Sequence, residues 1–95
     1  MLQLETKHRK IVSEILSKYP YQFFVYGSRA KGTARKLSDL DLCYQDNNLS
    51  DATVFQIEEE FKESDLPFLV ELASWKRMSP DFRKLIEKDL IVIFK

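Results

Sequence analysis

The 95-residue sequence contains little cysteine, glycine or proline: one cysteine, two glycines and three prolines. The single cysteine excludes a disulfide within the chain, and Cys43 lies in an apolar run where we expect it to be a buried core residue. The scarcity of glycine and proline, with 44% hydrophobic residues, excludes a disordered or low-complexity chain. This length allows one hydrophobic core, so we expect a single domain over residues 1–95.

The sequence also lacks net charge and long apolar runs. Fifteen basic and fifteen acidic residues give a formal net charge of zero, which argues against a general nucleic-acid-binding protein. We find neither a signal-peptide pattern nor an apolar stretch long enough to span a membrane. The expectation is a cytoplasmic protein that binds neither membranes nor nucleic acid.

Hydrophobic spacing divides the chain into alternating helices and strands. Amphipathic patterns predict helices over 2–18, 51–63 and 80–88, and apolar runs predict strands over 21–26, 39–45, 68–73 and 90–94. The first strand is apolar on both faces and should be central. The connection to the second strand is too short for a helical crossover, which predicts an α+β fold with a mixed sheet. The last strand should either pair within this sheet or form an oligomer contact.

Three further groups are expected to have structural roles. The last helix should bury Phe82, Leu85 and Ile86. His8 lies on the apolar stripe of the first helix and is expected to be a packing histidine. The acidic run of the second long helix should form a solvated face, because most of these side chains lie off its apolar stripe; the run comprises Glu58, Glu59, Glu60 and Glu63.

The segment 27–41 contains the strongest candidates for residues that bind a ligand. Gly27 and Ser28 follow the first predicted strand, and Asp39 and Asp41 begin the second. Residues two apart in a strand share a face, so the two carboxylates should project side by side and favour a hard cation such as Mg²⁺. Backbone amides in a glycine–serine turn suit phosphate oxygens. The pattern indicates a nucleoside triphosphate held between the turn and a carboxylate-bound metal.

Four basic residues lie between these two pairs. Arg29, next to Ser28, is the best placed to contact a nucleotide, whereas Lys31, Arg35 and Lys36 are expected to be solvated loop charges. An RNA-binding role for residues 29–36 is an alternative interpretation that the neutral net charge disfavours.

The spacing Gly27-Ser28, ten residues, then Asp39-Leu40-Asp41 resembles the G-S-x10-D-x-D signature of the polymerase-beta-like nucleotidyltransferase superfamily. The text GSRAKGTARKLSDLDL is most similar to the minimal nucleotidyltransferases (MNT) of prokaryotes. This resemblance implies a polymerase-beta-like core, a mixed four-stranded sheet with helices packed on it. It further implies that Gly27, Ser28 and Arg29 bind the nucleotide.

The same resemblance implies the metal-binding and catalytic residues. Asp39 and Asp41 would bind one or two Mg²⁺ ions. A third carboxylate, usually aspartate, is expected on the strand after the 51–63 helix, and Glu71 matches that position. Glu71 is therefore the third candidate metal ligand or catalytic base, and its extra methylene is expected to reduce or alter activity.

The resemblance also implies a partner and a reaction. MNT proteins are often encoded beside a HEPN protein as a toxin–antitoxin pair. The implied activity is magnesium-dependent transfer of AMP from ATP to that HEPN protein, within a homo- or hetero-oligomer, and no acceptor-binding module is recognisable in the sequence itself. Two alternatives remain open: a catalytically weak or inactive antitoxin that neutralises its partner by contact, and adenylylation of a small molecule.

Overall fold

The computed structural model describes residues 2–94. Its strands are β1 (Phe23–Tyr26), β2 (Leu40–Tyr44), β3 (Val70–Ser74) and β4 (Ile91–Phe94). Its helices are α1 (Thr6–Leu16), α2 (Ser28–Lys31), α3 (Asp51–Lys62) and α4 (Pro80–Ile86), with 3₁₀ turns at Trp75–Arg77 and Glu87–Asp89. None of the helices in this range is both long enough and apolar enough to cross a membrane.

The strands form one mixed sheet in the order β3-β2-β1-β4. β1 pairs antiparallel with β2 and with β4, whereas β2 and β3 are parallel neighbours. A parallel pair needs a long crossover, which α3 provides between β2 and β3. The prediction of a mixed four-stranded α+β sheet with β1 in a central place is confirmed, and β4 pairs within the sheet.

The hydrophobic core lies between one face of the sheet and helices α1 and α3. Alternation along the strands directs one set of side chains to this inner face, and the apolar stripes of the two helices cover it. The fully buried apolar side chains of the core are Val12, Leu16, Phe23, Val25, Leu40, Leu42 and Ile57. Lys18 and Tyr19 both donate hydrogen bonds to Glu60, which ties the end of α1 to α3. The opposite, outer face of the sheet is only partly covered, since Asp41 is half-buried and Glu71 is exposed there.

The first helix is shorter than predicted. It begins at Thr6, not at residue 2, and residues 2–5 are irregular. The backbone N–H of Gln3 donates to the Arg29 carbonyl (2.8 Å), and Leu2 and Leu4 pack against the core. Residues 2–5 are thus held by contacts with distant residues, where the apolar spacing predicts the first turn of a helix.

The helix α4 begins as predicted but packs differently. The Ser79 hydroxyl accepts the Phe82 N–H (3.2 Å) and Pro80 occupies the first turn. Only Ile86 of the three predicted core residues is buried, since Phe82 is 40% and Leu85 62% exposed. The helix has only seven residues, and its Phe82 ring meets the edge of Tyr26 on the outer face of the sheet. The prediction that α4 buries Phe82 and Leu85 is therefore wrong.

Two polar residues are used in packing. His8 lies edge-on to Phe68, with ring centroids 5.4 Å apart, as expected for a packing histidine. Glu58 departs from the solvated face predicted for α3, because its carboxylate accepts the Leu72 N–H of strand β3 (3.1 Å).

Candidate functional site

The site begins at the turn that joins β1 to α2. Gly27 has φ 77° and ψ −156°, a backbone region that is essentially restricted to glycine. A Cβ at this position would lie 2.5 Å from Asp41 Oδ2. The Asp41 carboxylate therefore lies against the Gly27 backbone, and the turn and the second strand meet as the sequence pattern predicted.

Strand register brings two acidic residues together on the outer face. Asp41 pairs with Tyr26 on one side and with Glu71 on the other. Side chains opposite each other in neighbouring strands share a face, so the Asp41 and Glu71 carboxylates project together. Asp39 directly precedes β2, which begins where the Leu40 N–H donates to the Leu69 carbonyl (2.9 Å).

The electrostatics of Asp41 reflect this grouping. Burial, together with the smaller effects of the negative charges of Glu71 and Asp39, raises the pKa of Asp41 to about 6. A carboxylate that is partly buried among like charges is stabilised by a bound cation. The three candidate carboxylates therefore form one electrostatic group.

The donor set fits a magnesium ion that is shared with a nucleotide. Within residues 2–94, no three His, Cys, Asp or Glu side chains are close enough to form a metal cluster by themselves. Mg²⁺ commonly takes one or two protein carboxylates and completes its shell with water and substrate phosphate oxygens. Asp41 with a neighbouring carboxylate meets that requirement. The binding of a metal by all three, Asp39, Asp41 and Glu71, stays a prediction.

Ser28 begins the helix α2 beside this acidic group. The first amides of a helix have no partner within it, and here these belong to Ser28 and Arg29. The next two amides, of Ala30 and Lys31, both donate to the Gly27 carbonyl (3.1 Å). The half-buried Ser28 carries a hydroxyl and an N–H, and it directly follows Gly27, whose backbone lies against the Asp41 carboxylate.

Arg29 does not have the position expected of a nucleotide ligand. It is only 5% exposed, and its guanidinium donates to the carbonyls of Ser38 (2.8 and 3.1 Å), Gln3 (3.0 Å) and Lys36 (3.3 Å). The guanidinium also lies 4.1 Å from the centroid of the Phe68 ring. Burial lowers the pKa of Arg29, although the nearby charges of Asp39 and Glu5 oppose that effect. The side chain therefore binds the protein's own backbone. Its position next to Ser28 in the sequence does not reveal these contacts, because only the folded chain brings the three carbonyls together.

Sequence reasoning missed two residues that shape the site. Tyr26 shares the outer face with Asp41. Burial, together with the smaller effects of Asp41, Cys43 and Glu71, raises the pKa of Tyr26 to about 12. The signal for Tyr26 was present, since it immediately precedes Gly27 at the end of an alternating strand. Gln3 holds the loop before Asp39, and no local pattern in the sequence indicates that role.

Known proteins resemble this chain in sequence and in fold. The family described as polymerase beta, nucleotidyltransferase matches residues 10–95. The chain is 39% identical over 95 residues to the probable protein adenylyltransferase MntA of Haemophilus influenzae, an alignment that covers 97% of this chain and 83% of that protein. A toxin–antitoxin crystallised with AMP-PNP has the same fold, with a TM-score of 0.70 at 17% identity over 90% of this chain and 71% of that chain. With a family match over most of its length, this chain belongs to the polymerase beta family and is a nucleotidyltransferase.

Proposed function

We propose that this protein transfers AMP from ATP to a partner protein in a magnesium-dependent reaction. The observation that carries the proposal is the contact between the Gly27 backbone and the Asp41 carboxylate, because a turn whose amides suit phosphate oxygens then lies beside a carboxylate that suits a metal ion. The 39% identity with a relative named as a protein adenylyltransferase supports the choice of AMP and of a protein acceptor.

Each residue of the site has a distinct task in this proposal. The Ser28 hydroxyl and the Gly27–Ser28 backbone bind the β- and γ-phosphates, while Asp39 and Asp41 are the residues that would hold Mg²⁺. When bound, that ion neutralises phosphate charge and lowers the pKa of the attacking hydroxyl. The fit rests on a group of carboxylates around Asp41, whose raised pKa reflects burial and two neighbouring negative charges.

Glu71 is the proposed general base. It is exposed on the outer face and lies opposite Asp41 in the register, so an acceptor arriving from solvent can reach it. Glu71 accepts the proton of the acceptor hydroxyl as the oxygen attacks the α-phosphorus. The bond from the α-phosphorus to the bridging oxygen breaks, and pyrophosphate leaves with the electron pair. The acceptor then carries AMP through a new phosphodiester bond.

The proposed acceptor is a separately encoded HEPN-family protein, and a tyrosine hydroxyl is the proposed attacking group. The sequence resemblance to the MNT proteins implies this partner. A solved toxin–antitoxin with the same fold, crystallised with an ATP analogue, supports a pairing of this kind. In this arrangement the chain acts as the antitoxin and its partner as the toxin.

The experiment is transfer of label from [α-³²P]ATP to a purified HEPN-family protein, with Mg²⁺ present. We expect Asp41→Asn to reduce transfer by at least ~10²-fold and Glu71→Gln by ~10²–10⁴-fold. Glu71→Asp retains a carboxylate and should keep more activity than Glu71→Gln. Asp65→Asn, an exposed carboxylate in the turn after α3, is the matched control and should transfer normally.

Two outcomes would contradict this proposal. Wild-type transfer by Asp41→Asn would exclude the metal-binding role of that carboxylate. Protection from the toxin that persists undiminished in Asp39→Asn and Asp41→Asn, in a stoichiometric complex, would instead identify a protein that neutralises its partner by contact.

A further inference from the structure

The loop of residues 32–38 connects the two halves of the candidate site. It runs from the end of α2, which follows the proposed phosphate-binding turn, to Asp39 directly before β2. The loop has no helix or strand of its own, so its backbone is held by side chains and by contacts with other segments. The placement of Asp39 relative to Ser28 depends on how this loop is fixed.

Arg29 holds the end of the loop that leads into Asp39. Its guanidinium donates to the Ser38 carbonyl through two nitrogen atoms (2.8 and 3.1 Å) and to the Lys36 carbonyl (3.3 Å). The ring of Phe68 supports the guanidinium at 4.1 Å. A planar group with several fixed donors can bridge carbonyls in this way, whereas a lysine ammonium offers one point charge.

Gln3 holds the middle of the loop. Its side-chain amide donates to the Ala34 carbonyl and accepts the Ala34 N–H, each at 2.8 Å. Its backbone N–H donates to the Arg29 carbonyl (2.8 Å), and its carbonyl accepts from the Arg29 guanidinium (3.0 Å). The two side chains and their partners, here named the Gln3–Arg29 clamp, therefore fix the loop at Ala34 and at Ser38.

We infer that the Gln3–Arg29 clamp positions Asp39 for metal and nucleotide binding, and that residues 2–5 thereby form a working part of the site. The family match begins at residue 10, so Gln3 lies outside the matched region. This inference rests on the proposed role of Asp39 as a metal ligand. Gln3 and Arg29 are positioning residues, because their contacts are with the loop and not with the reacting atoms.

The clamp differs from an ordinary packing contact in what its loss would change. Gln3 lies on the protein surface, so its truncation removes loop hydrogen bonds without opening a cavity in the core. The loop would then sample other conformations, and Asp39 would spend less time near Asp41. The consequence is weaker metal binding in a protein that remains folded.

The test compares Gln3→Ala with Gln22→Ala, an exposed glutamine ahead of β1, as the matched control. The probes are Mn²⁺ with the non-hydrolysable analogue AMPCPP, with bound Mn²⁺ measured by electron paramagnetic resonance, and hydrogen exchange at the Ala34 amide. We expect Gln3→Ala to weaken Mn²⁺ binding roughly 10-fold, the usual effect of removing a residue that orients metal ligands. We also expect Ala34 exchange to accelerate while the thermal midpoint stays close to that of the wild type. Gln22→Ala should change none of these quantities.

Arg29→Lys and Asp39→Asn complete the design. Arg29→Lys should weaken Mn²⁺ binding at least as much as Gln3→Ala. If Arg29→Lys unfolds because Arg29 is buried, the Gln3→Ala variant still tests the inference. Weakened binding in Asp39→Asn with wild-type binding in Gln3→Ala would overturn the inference alone. Wild-type Mn²⁺ binding in Asp39→Asn would overturn the proposed function and the inference with it.

Discussion

Gly27 is the residue at which the turn proposed to bind phosphate contacts the strand that carries Asp41. Two separate physical constraints apply to it: a positive φ, and an Asp41 oxygen in the space that a Cβ would occupy. Gly32 at the end of α2 also has a positive φ of 81°, but no atom of residues 2–94 lies within 4 Å of the Cβ position there. A substitution at Gly32 therefore introduces backbone strain alone, whereas the same substitution at Gly27 adds a clash with the Asp41 carboxylate.

We predict that Gly27→Ala and Gly32→Ala differ in both stability and activity. Gly32→Ala should cost about 1–2 kcal/mol, since alanine in the left-handed region is strained by about that amount. Gly27→Ala should cost more and should also displace the Asp41 carboxylate, so nucleotide transfer is lost. Urea unfolding and the [α-³²P]ATP assay measure the two effects, and equal behaviour of the variants would contradict this account of Gly27.

Asp41 carries an energetic cost that a purely structural residue would not carry. Its folded-state pKa of about 6 lies above the ordinary value of 3.8, so the folded protein favours the protonated form. The stability that this preference contributes is fully present below the unfolded pKa and is lost as the pH rises through 6. In the metal-free protein at neutral pH, the charged carboxylate is therefore destabilising.

We predict that Asp41→Asn is more stable than the wild type at pH 7.5 in the presence of a chelator, by ~1–2 kcal/mol. The difference should shrink as the pH falls toward the unfolded value of 3.8, because the folded Asp41 carboxyl is then protonated. Urea unfolding at the two pH values measures it. An Asn variant that is less stable than the wild type at pH 7.5 would show that the Asp41 carboxylate contributes favourable contacts instead.

At the scale of elements, the parallel pair β2–β3 aligns the acidic residues. Register places Asp41 opposite Glu71, and β3 is an edge strand whose outward backbone groups have no further strand to pair with. Glu58 on α3 supplies an acceptor for one of these groups, the Leu72 N–H. The crossover helix thus fixes the strand that carries Glu71.

We predict that Glu58→Ala destabilises the protein by about 1 kcal/mol and accelerates hydrogen exchange at the Leu72 amide, because a charge-assisted hydrogen bond is lost. Glu63→Ala, an exposed glutamate at the end of the same helix, is the control and should leave that amide unchanged. Unaltered Leu72 protection in Glu58→Ala would mean that the strand is fixed by its pairing with β2 alone.

The elements of this fold could largely be predicted from the sequence, because their signals are local. Apolar alternation located all four strands, and Ser79-Pro80 marked the start of α4. The start of α1 and the exposure of Phe82 and Leu85 could not be predicted, since each depends on packing between distant segments. A periodic apolar stripe indicates which face of a helix can be buried, but it does not indicate whether another element covers that face.

The candidate site was predictable to a similar extent. The pairing of the glycine–serine turn with Asp41, and the alignment of Asp41 with Glu71, follow from motif order and strand geometry. The burial of Arg29 does not, because its guanidinium binds carbonyls of Gln3 and Ser38 that the folded chain brings together. A charged side chain next to a sequence motif can therefore contact a ligand only when other parts of the folded protein do not already bind it.

At the scale of the whole molecule, the hydrophobic core and the candidate site lie on opposite faces of one sheet. Helices α1 and α3 bury the inner face, while the outer face carries the carboxylates. Phe82 of α4 packs against that outer face, and Val92 of β4 lies on it; each of the two side chains is 40% exposed. The central claim is that Gly27, Ser28 and the surrounding carboxylates bind one metal–nucleotide complex on this face.

The most direct test is a crystal structure with AMPCPP and Mn²⁺, in which anomalous scattering locates the metal. We predict a peak at ~2.0–2.3 Å from an Asp41 carboxylate oxygen, the range for hard divalent ions bound to oxygen, with the phosphates over the Gly27–Ser28 backbone. A nucleotide bound on another face, or a metal peak remote from Asp41, would contradict the account.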